Sequence, residues 1–370
     1  MAFGIYIHWP FCRSKCPYCD FFSKVQKHIP QDKIVNEYIE DIKYYSELTK
    51  NKEVTSIFFG GGTPSLLSPQ NIERLISTIA ANWHISSNIE ISLEANPNTD
   101  SPSLFSDLHS SGINRLSLGI QSLSAEGLKF LGRTHSVRDA LTSAEKVLNI
   151  FSNHSADFIY ALPNQNITSW HNDLLQICSL GFKHLSLYQL TIEDGTIFAK
   201  KDIKPADENT AIELYNLSNQ ILTQYGYDHY EVSNFAKPLY ECKHNKLYWQ
   251  GDDYVGIGPS AHGRLHINNN FFATTHKRQK EKLTPYERAE ELILMGLRLT
   301  EGINKQTFKQ TCGLDFDKLI SPQILTALSQ QELIENSSQT IRATANGFLV
   351  LNKIIEDLIC NSLYIDYQHQ

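Results

Sequence analysis

The sequence predicts an α/β fold: a partial, open barrel of six parallel strand–helix units, related to the closed (β/α)8 form, with a small, mainly helical, winged-helix-like domain at its C-terminus. Three observations predict it. Short β-rich apolar runs alternate with longer amphipathic stretches over the first two-thirds of the chain, which is the pattern of a parallel sheet with helical crossovers. Chemically distinctive residues recur where these runs end: a cysteine cluster after the first, Gly60-Gly61-Gly62-Thr63-Pro64 after the second, Glu94 closing the third and Gln121 closing the fourth. Barrels of this kind carry their chemistry at the carboxyl ends of the strands. From residue 284 onward the pattern changes to helices and one hairpin.

The strands are expected at residues 4–9, 55–59, 89–94, 115–120, 156–160 and 184–190, within a barrel spanning 1–225. Ser68-Pro69 and Ser101-Pro102 each place a capping hydroxyl before a proline at a first helical position. Residues 226–283 read as an annex, with one more strand at 227–235, a glycine-rich loop at 254–262 and a basic run at 276–282 that reads as a linker. Thr284-Pro285-Tyr286-Glu287 is a capping box opening the C-terminal domain, residues 284–370. That domain reads as helical to about 333, then a hairpin at 341–351 and a last helix.

Composition narrows the function classes. The 370 residues suit one large and one smaller domain, and 41% hydrophobic with 20% charged residues is a globular composition. A net charge of −7 and a C-terminal domain without a Lys/Arg-studded helix argue against nucleic acid as a partner and for a packing or lid role. No run reaches the ~18 apolar residues of a membrane span, and the apolar start lacks the basic region and cleavage site of a targeting segment. Three of the seven cysteines fall within eight residues and four are scattered singly. That is the signature of metal binding in a reducing, cytoplasmic setting, not of a disulfide framework.

The cluster, Cys12-Arg13-Ser14-Lys15-Cys16-Pro17-Tyr18-Cys19, has the spacing C-x3-C-x2-C. Cubane iron–sulfur clusters are usually held by four thiolates. Three on one loop can hold three irons of a [4Fe–4S] cluster and leave the fourth open to a small chelating ligand. The competing assignment is a zinc site completed by His8, but zinc spacing usually comes as paired C-x2-C knuckles, and there is no second knuckle.

Around these cysteines the chain resembles the radical S-adenosylmethionine superfamily. Tyr6-Ile7-His8-Trp9-Pro10-Phe11-Cys12, Phe58-Phe59-Gly60-Gly61-Gly62-Thr63-Pro64-Ser65, Asn114-Arg115-Leu116-Ser117-Leu118-Gly119-Ile120-Gln121-Ser122 and Ile159-Tyr160-Ala161-Leu162-Pro163 are similar to the oxygen-independent coproporphyrinogen III oxidase family. Within it, the HemW-type haem chaperones are the nearest group, and the likeness runs from Tyr6 to about residue 365. The resemblance implies a TIM-like radical S-adenosylmethionine barrel, a [4Fe–4S] cluster on Cys12, Cys16 and Cys19, and S-adenosylmethionine on its open iron. It implies that Tyr18 lies against the adenine and that Gly61, Gly62 and Thr63 bind the methionine part, a role suited to glycines that let a ligand approach the backbone. Tyr6, Glu94, Gln121, Arg133 and Asp157 match further cofactor contacts. Arg133 could pair a carboxylate in bidentate fashion, and Glu94 or Asp157 could accept from ribose hydroxyls. Gly256-Ile257-Gly258-Pro259-Ser260-Ala261-His262-Gly263 matches a loop that approaches from the far side, with His262 as its candidate contact.

Two features separate the chain from the oxidases. Those carry a fourth cysteine two residues after the third, whereas here Cys19 is followed by Asp20 and Phe21. Cys242-Lys243-His244-Asn245-Lys246-Leu247-Tyr248-Trp249 resembles the H-N-x-x-Y-W motif of the HemW-type proteins, implicated in haem handling. Imidazole is a common haem ligand, and Tyr248 and Trp249 offer flat apolar faces to a porphyrin. The expectation is a haem chaperone binding haem through His244, Asn245, Tyr248 and Trp249 and passing it to an apo-haemoprotein, with a flavodoxin or ferredoxin as possible electron donor. The alternative expectation is oxidative decarboxylation of coproporphyrinogen III.

Overall fold

The computed structural model describes residues 2–97 and 101–360. Six strands lie parallel and side by side in chain order: β1 (Phe3–Trp9), β2 (Glu53–Gly61), β3 (His84–Ala95), β4 (Arg115–Gln121), β5 (Asn153–Tyr160) and β6 (His184–Gln189). Between them run α1 (Gln31–Leu48), α2 (Pro69–Asn82), α3 (Leu104–Ser110), α4 (Val137–Ile150) and α5 (Ile167–Leu180), and α6 (Glu208–Gln224) follows β6. The period-two alternation of a strand sorts its side chains. Ile5, Ile7 and Trp9 of β1 pack into the core shared with Val35, Tyr38 and Ile42 of α1. The alternate residues Gly4, Tyr6 and His8 face the lumen, against Ser56, Phe58, Gly60 and Gly61 of β2.

Ser68 caps α2 by accepting from the Asn71 amide, with Pro69 at the first helical position. Ser101-Pro102 does not open α3. A turn closed by the Leu104 amide on the Ser101 carbonyl comes first, and the helix starts at Leu104.

The annex is woven into the barrel sheet. The strand expected at 227–235 is a hairpin of β7 (Asp228–Glu231) and β8 (Asn234–Ala236), antiparallel to each other, with β8 antiparallel to β6. The chain reverses at Val232-Ser233, where the Ser233 carbonyl accepts from the Leu187 amide. After α7 (Lys243–Gln250), β9 (Asp253–Ile257) returns to the other edge and pairs in parallel with β1, a seventh parallel strand that the hydropathy pattern did not separate from its loop. β10 (Gly263–Ile267), β11 (Asn270–Thr275) and β12 (Gln279–Leu283) extend that edge as an antiparallel meander. The basic run is thus largely an edge strand and not a linker. Its exposed lysines suit an edge, because charge there discourages pairing with another chain.

The C-terminal domain has its own core of Leu292, Ile293, Phe308, Phe316, Ile341, Leu351 and Ile355. It comprises α8 (Pro285–Gly296), opened by the expected Thr284–Glu287 capping box, β13 (Ile303–Asn304), α9 (Lys305–Cys312), α10 (Pro322–Gln330), β14 (Ile334–Asn336), β15 (Thr340–Ala343) and α11 (Leu351–Cys360). The hairpin lies at 334–343, ahead of the expected 341–351. Thr344 accepts from the Gly347 amide and starts a helical turn where the second strand was expected. The domain is joined to the barrel edge where the Val232 amide donates to the Arg298 carbonyl and the Thr300 amide to the Tyr230 carbonyl. No helix among the described residues is long and apolar enough to cross a membrane.

Candidate functional site

The carboxyl ends of β1 to β6 open onto a cavity of about 450 Å³. Cys12, Cys16, Tyr18, Cys19, Gly61, Gly62, Thr63, Glu94, Gln121, Arg133 and Asp157 all line it, although they span 146 positions of the chain. Parallel strands achieve this because each delivers its last inward residue to one rim. The cysteine loop is folded back by a two-residue pairing of Phe11–Cys12 with Lys24–Val25 and by a turn in which the Cys19 amide donates to the Cys16 carbonyl. The glycine turn is stitched to it: the Gly62 amide donates to the Trp9 carbonyl at 2.7 Å and the Thr63 amide to the Phe11 carbonyl at 2.8 Å. A β-carbon at Gly62 would lie 2.7 Å from that same carbonyl oxygen and 3.0 Å from Cys12 Sγ, and Gly61 has φ +109°. Side chains are excluded here for steric reasons.

The far wall carries charge. Asp157 accepts from the Ser117 hydroxyl at 3.0 and 3.1 Å. Burial and the nearby Asp157 carboxylate push Glu94 up from 4.5 to about 8. The folded protein without cofactor therefore holds a proton on Glu94 that the unfolded chain releases above its ordinary range. Glu94 thus contributes stability that is full below pH 4.5, declines as pH rises to about 8, and changes no further above it. The expected slope is at most about 1.4 kcal/mol per pH unit. Urea denaturation at about pH 5 and pH 8 checks this: the pH-dependent loss should be smaller in Glu94→Gln than in the parent.

Below the rim the lumen is filled by rings. The Tyr6 hydroxyl is 3.0 Å from His8 Nδ1, and His8 Nε2 is 2.9 Å from the Phe22 carbonyl. Both His8 nitrogens are thus occupied, one by Tyr6 and one by the loop that follows the cysteines, which takes His8 out of any zinc site in this conformation. Tyr6 sits one layer beneath the cavity rim, under Gly60. His262 is exposed in the turn after β9 and does not line the cavity. Its loop leaves β9 beside β1, where Gly258 abuts the His8 carbonyl and the Tyr38 ring.

Helix α7, which carries His244, Asn245, Tyr248 and Trp249, closes the amino-terminal end of the barrel. His244 is fully buried, with Nδ1 2.8 Å from the Ser56 hydroxyl and Nε2 2.7 Å from the Tyr248 hydroxyl. Its ring stacks on Phe58 at 5.2 Å. Burial and the Arg115 charge push it down to about 3, so it is a neutral imidazole. Glu90 of β3 anchors the helix start, accepting from the Lys243 and His244 amides at 3.3 Å. Helical spacing splits the motif: His244 and Tyr248 share the lumen face, whereas Trp249 turns to a cleft shared with Leu299, Ile303 and Phe308 of the C-terminal domain. Asn245 is half-buried on the same helix.

Sequence reasoning missed Asn96, just past β3, and residues 188–191 at the end of β6, which also line the cavity. The strand-end rule that flagged Glu94 and Gln121 would have found the second group had it been applied to the sixth strand. The residues present suit a chelating cofactor. Gln121 sits at a β-bulge with φ +69°, and its buried Oε1 has no hydrogen-bond partner among the described residues. The glycine turn leaves room at the cysteines that a methyl group would fill. No group of three or more His, Cys, Asp or Glu among the described residues is disposed to hold a single metal ion. A cubane asks for a different arrangement, thiolates each reaching a separate corner.

Comparison with known proteins agrees with this geometry. The radical SAM superfamily matches residues 6–177 and the HemN C-terminal domain residues 283–350. The haem chaperone HemW of Haemophilus influenzae is 36% identical, over 95% of this chain and 97% of its own length. The Escherichia coli haem chaperone HemW is 35% identical, again over 95% and 97%. The structure of coproporphyrinogen III oxidase (HemN) from Escherichia coli superposes with a TM-score of 0.80 at 21% identity, covering 98% of this chain and 90% of that one. Radical SAM membership implies a [4Fe–4S] cluster and S-adenosylmethionine as cofactors. With a partial barrel whose rim gathers the cysteine loop and glycine turn, and with relatives matching nearly end to end, this chain belongs to the HemW family of radical SAM proteins.

Proposed function

We propose that the protein is a haem chaperone: it binds haem and hands it to an acceptor apo-haemoprotein, with Cys12, Cys16 and Cys19 holding the cluster and the adjoining cavity holding S-adenosylmethionine. The observation that carries this reading is the near-full-length likeness to haem chaperones in a chain with Phe21 where the oxidases have a fourth cysteine. When bound, the cluster supplies one-electron reduction to the cofactor on its open iron. The protein's own residues do the holding. Backbone groups of Gly61, Gly62 and Thr63 meet the methionine part, Gln121 Oε1 accepts from a donor, and Glu94 and Asp157 face the cofactor's cationic and hydroxyl groups. Tyr18 forms an aromatic wall beside the adenine. Seven cysteines without a disulfide among them fit a reducing cytoplasm, where a flavodoxin or ferredoxin would supply the electron.

For haem, His244 is the ligand we assign, flanked by Asn245, Tyr248 and Trp249. The competing ligand, the Cys242 thiol, is pushed up to about 12 by burial and is therefore a poor source of thiolate. Both His244 nitrogens are bonded at the barrel floor, so ligation requires α7 to lift from its seat. Titration of haem into the anaerobically reconstituted protein should give a saturable Soret shift that develops more slowly than diffusional encounter. The shift should weaken in His244→Ala and persist in Cys242→Ala. Unchanged spectra in His244→Ala would refute the ligand, and absence of saturable binding would remove the chaperone reading. In a parallel assay with coproporphyrinogen III, cofactor and reductant, sustained protoporphyrinogen production would favour the oxidase instead.

A further inference from the structure

The Arg133 guanidinium is oriented differently from a plain carboxylate clamp. One terminal nitrogen, Nη1, lies 3.5 Å from Cys16 Sγ and 3.4 Å from the Tyr18 hydroxyl oxygen. The other, Nη2, donates to Asn96 Oδ1 at 2.5 Å and to the Gly119 carbonyl at 3.0 Å. The four N–H groups of the two terminal nitrogens are thus matched by four acceptors, and a bidentate grip on a carboxylate through them would cost these bonds. Asn96 is the hinge pin of this arrangement. Its amide nitrogen lies 3.4 Å from the Thr63 hydroxyl, so one side chain ties the glycine turn on β2 to the guanidinium that reaches across from beyond β4.

We infer that Arg133, held by Asn96, is a positioning residue that tunes the cluster through the Cys16 thiolate. The inference goes beyond haem handling and rests only on Cys16 being a cluster ligand. The physical reason is charge. A one-electron reduction adds negative charge that the cluster shares with its thiolates. A cation and N–H donor against one of those sulfurs stabilises the reduced form more than the oxidised form, which raises the reduction potential. Arg133 is set in the cavity wall, where solvent screening is weaker than at an open surface. Its charge is felt nearby as well: together with burial it pushes His135 down to about 4.

The test is the midpoint potential of the reconstituted cluster, followed by electron paramagnetic resonance in a redox titration without S-adenosylmethionine. Iron and sulfide content is measured on the same samples. Arg133→Gln should keep a full cluster and shift its potential to more negative values. Asn96→Ala, which leaves the charge but releases it, should shift the potential the same way by less, and Arg133→Lys should recover part of the loss. A full cluster with parental potential in Arg133→Gln would overturn the inference, even if cofactor binding weakened, since Arg133 would then be a cofactor contact only. If Arg133→Gln assembles no cluster, Asn96→Ala decides: a parental potential there overturns the inference, and a negative shift supports it. Full cluster assembly in Cys16→Ala would instead remove the ligand assignment beneath it.

Discussion

Replacing any one of Cys12, Cys16 or Cys19 by alanine is expected to abolish assembly of the [4Fe–4S] cluster, seen as loss of bound iron and sulfide and of the charge-transfer absorbance. Three thiolates leave no spare ligand: each must reach its own iron, and the fourth iron is already without a protein ligand. Cys178, Cys312 and Cys360 cannot substitute. Cys178 is buried between helix and sheet, and its thiol is pushed up to about 11 by burial. Cys312 lies in the C-terminal core, and Cys360 is exposed at the end of α11. Alanine at Cys178, Cys312 or Cys360 should therefore leave the cluster intact. A fully assembled cluster in Cys16→Ala would contradict the assignment.

The largest effect on stability is expected at the other end of the barrel, from Glu90→Ala. Glu90 and Arg115 are 3% and 2% exposed, and Glu90 Oε2 lies 3.9 Å from Arg115 Nε. Glu90 also accepts from the amides of Lys243 and His244 and from the Cys242 thiol. Removing it strips a buried cation of its nearest counter-charge and leaves the first amides of α7 without their acceptor. Breaking a buried pair from one side typically costs about 3–5 kcal/mol. Denaturant unfolding of the cofactor-free protein should show a loss of that order, and amide exchange should show α7 losing protection. The double change Glu90→Leu with Arg115→Met should be much less damaging, because no unpaired charge remains. A Glu90→Ala variant within about 1 kcal/mol of the parent would show that the floor is held by packing alone.

The barrel was legible in the sequence because strands and crossovers leave local marks. Apolar runs of the right length, the Ser68-Pro69 cap and the Thr284–Glu287 box each survive in the structure. The errors fall where local pattern and long-range pairing diverge. The basic run at 276–282 looks like a linker because its residues are polar, yet Gln279–Leu283 is an edge strand paired with β11, and its first four residues are exposed. The strand at 253–257 was read as part of a glycine-rich loop. It pairs with β1, about 250 residues earlier, and no local signal reports such a distant partner. The cavity residues were found through strand ends and motifs, and Asn96 was missed because a lone asparagine after a strand reads as a turn residue.

By itself, then, the sequence determined the cysteine spacing, the glycine turn and the alternation of strands with helices, all of which depend on neighbours a few residues apart. The tertiary structure alone decided three further matters. It set Arg133 on Cys16 Sγ instead of leaving both its terminal nitrogens open to a carboxylate. It left His262 exposed in the turn after β9, outside the cavity. It set His244, expected as a haem ligand, in the floor of the lumen, bonded to Ser56 188 positions away. The physical reason is common to all three. A side chain's residue type sets which bonds it can make, but which partner it meets depends on where the open, curved sheet delivers residues far apart in the chain, and a donor or acceptor buried there takes the partner that the fold supplies.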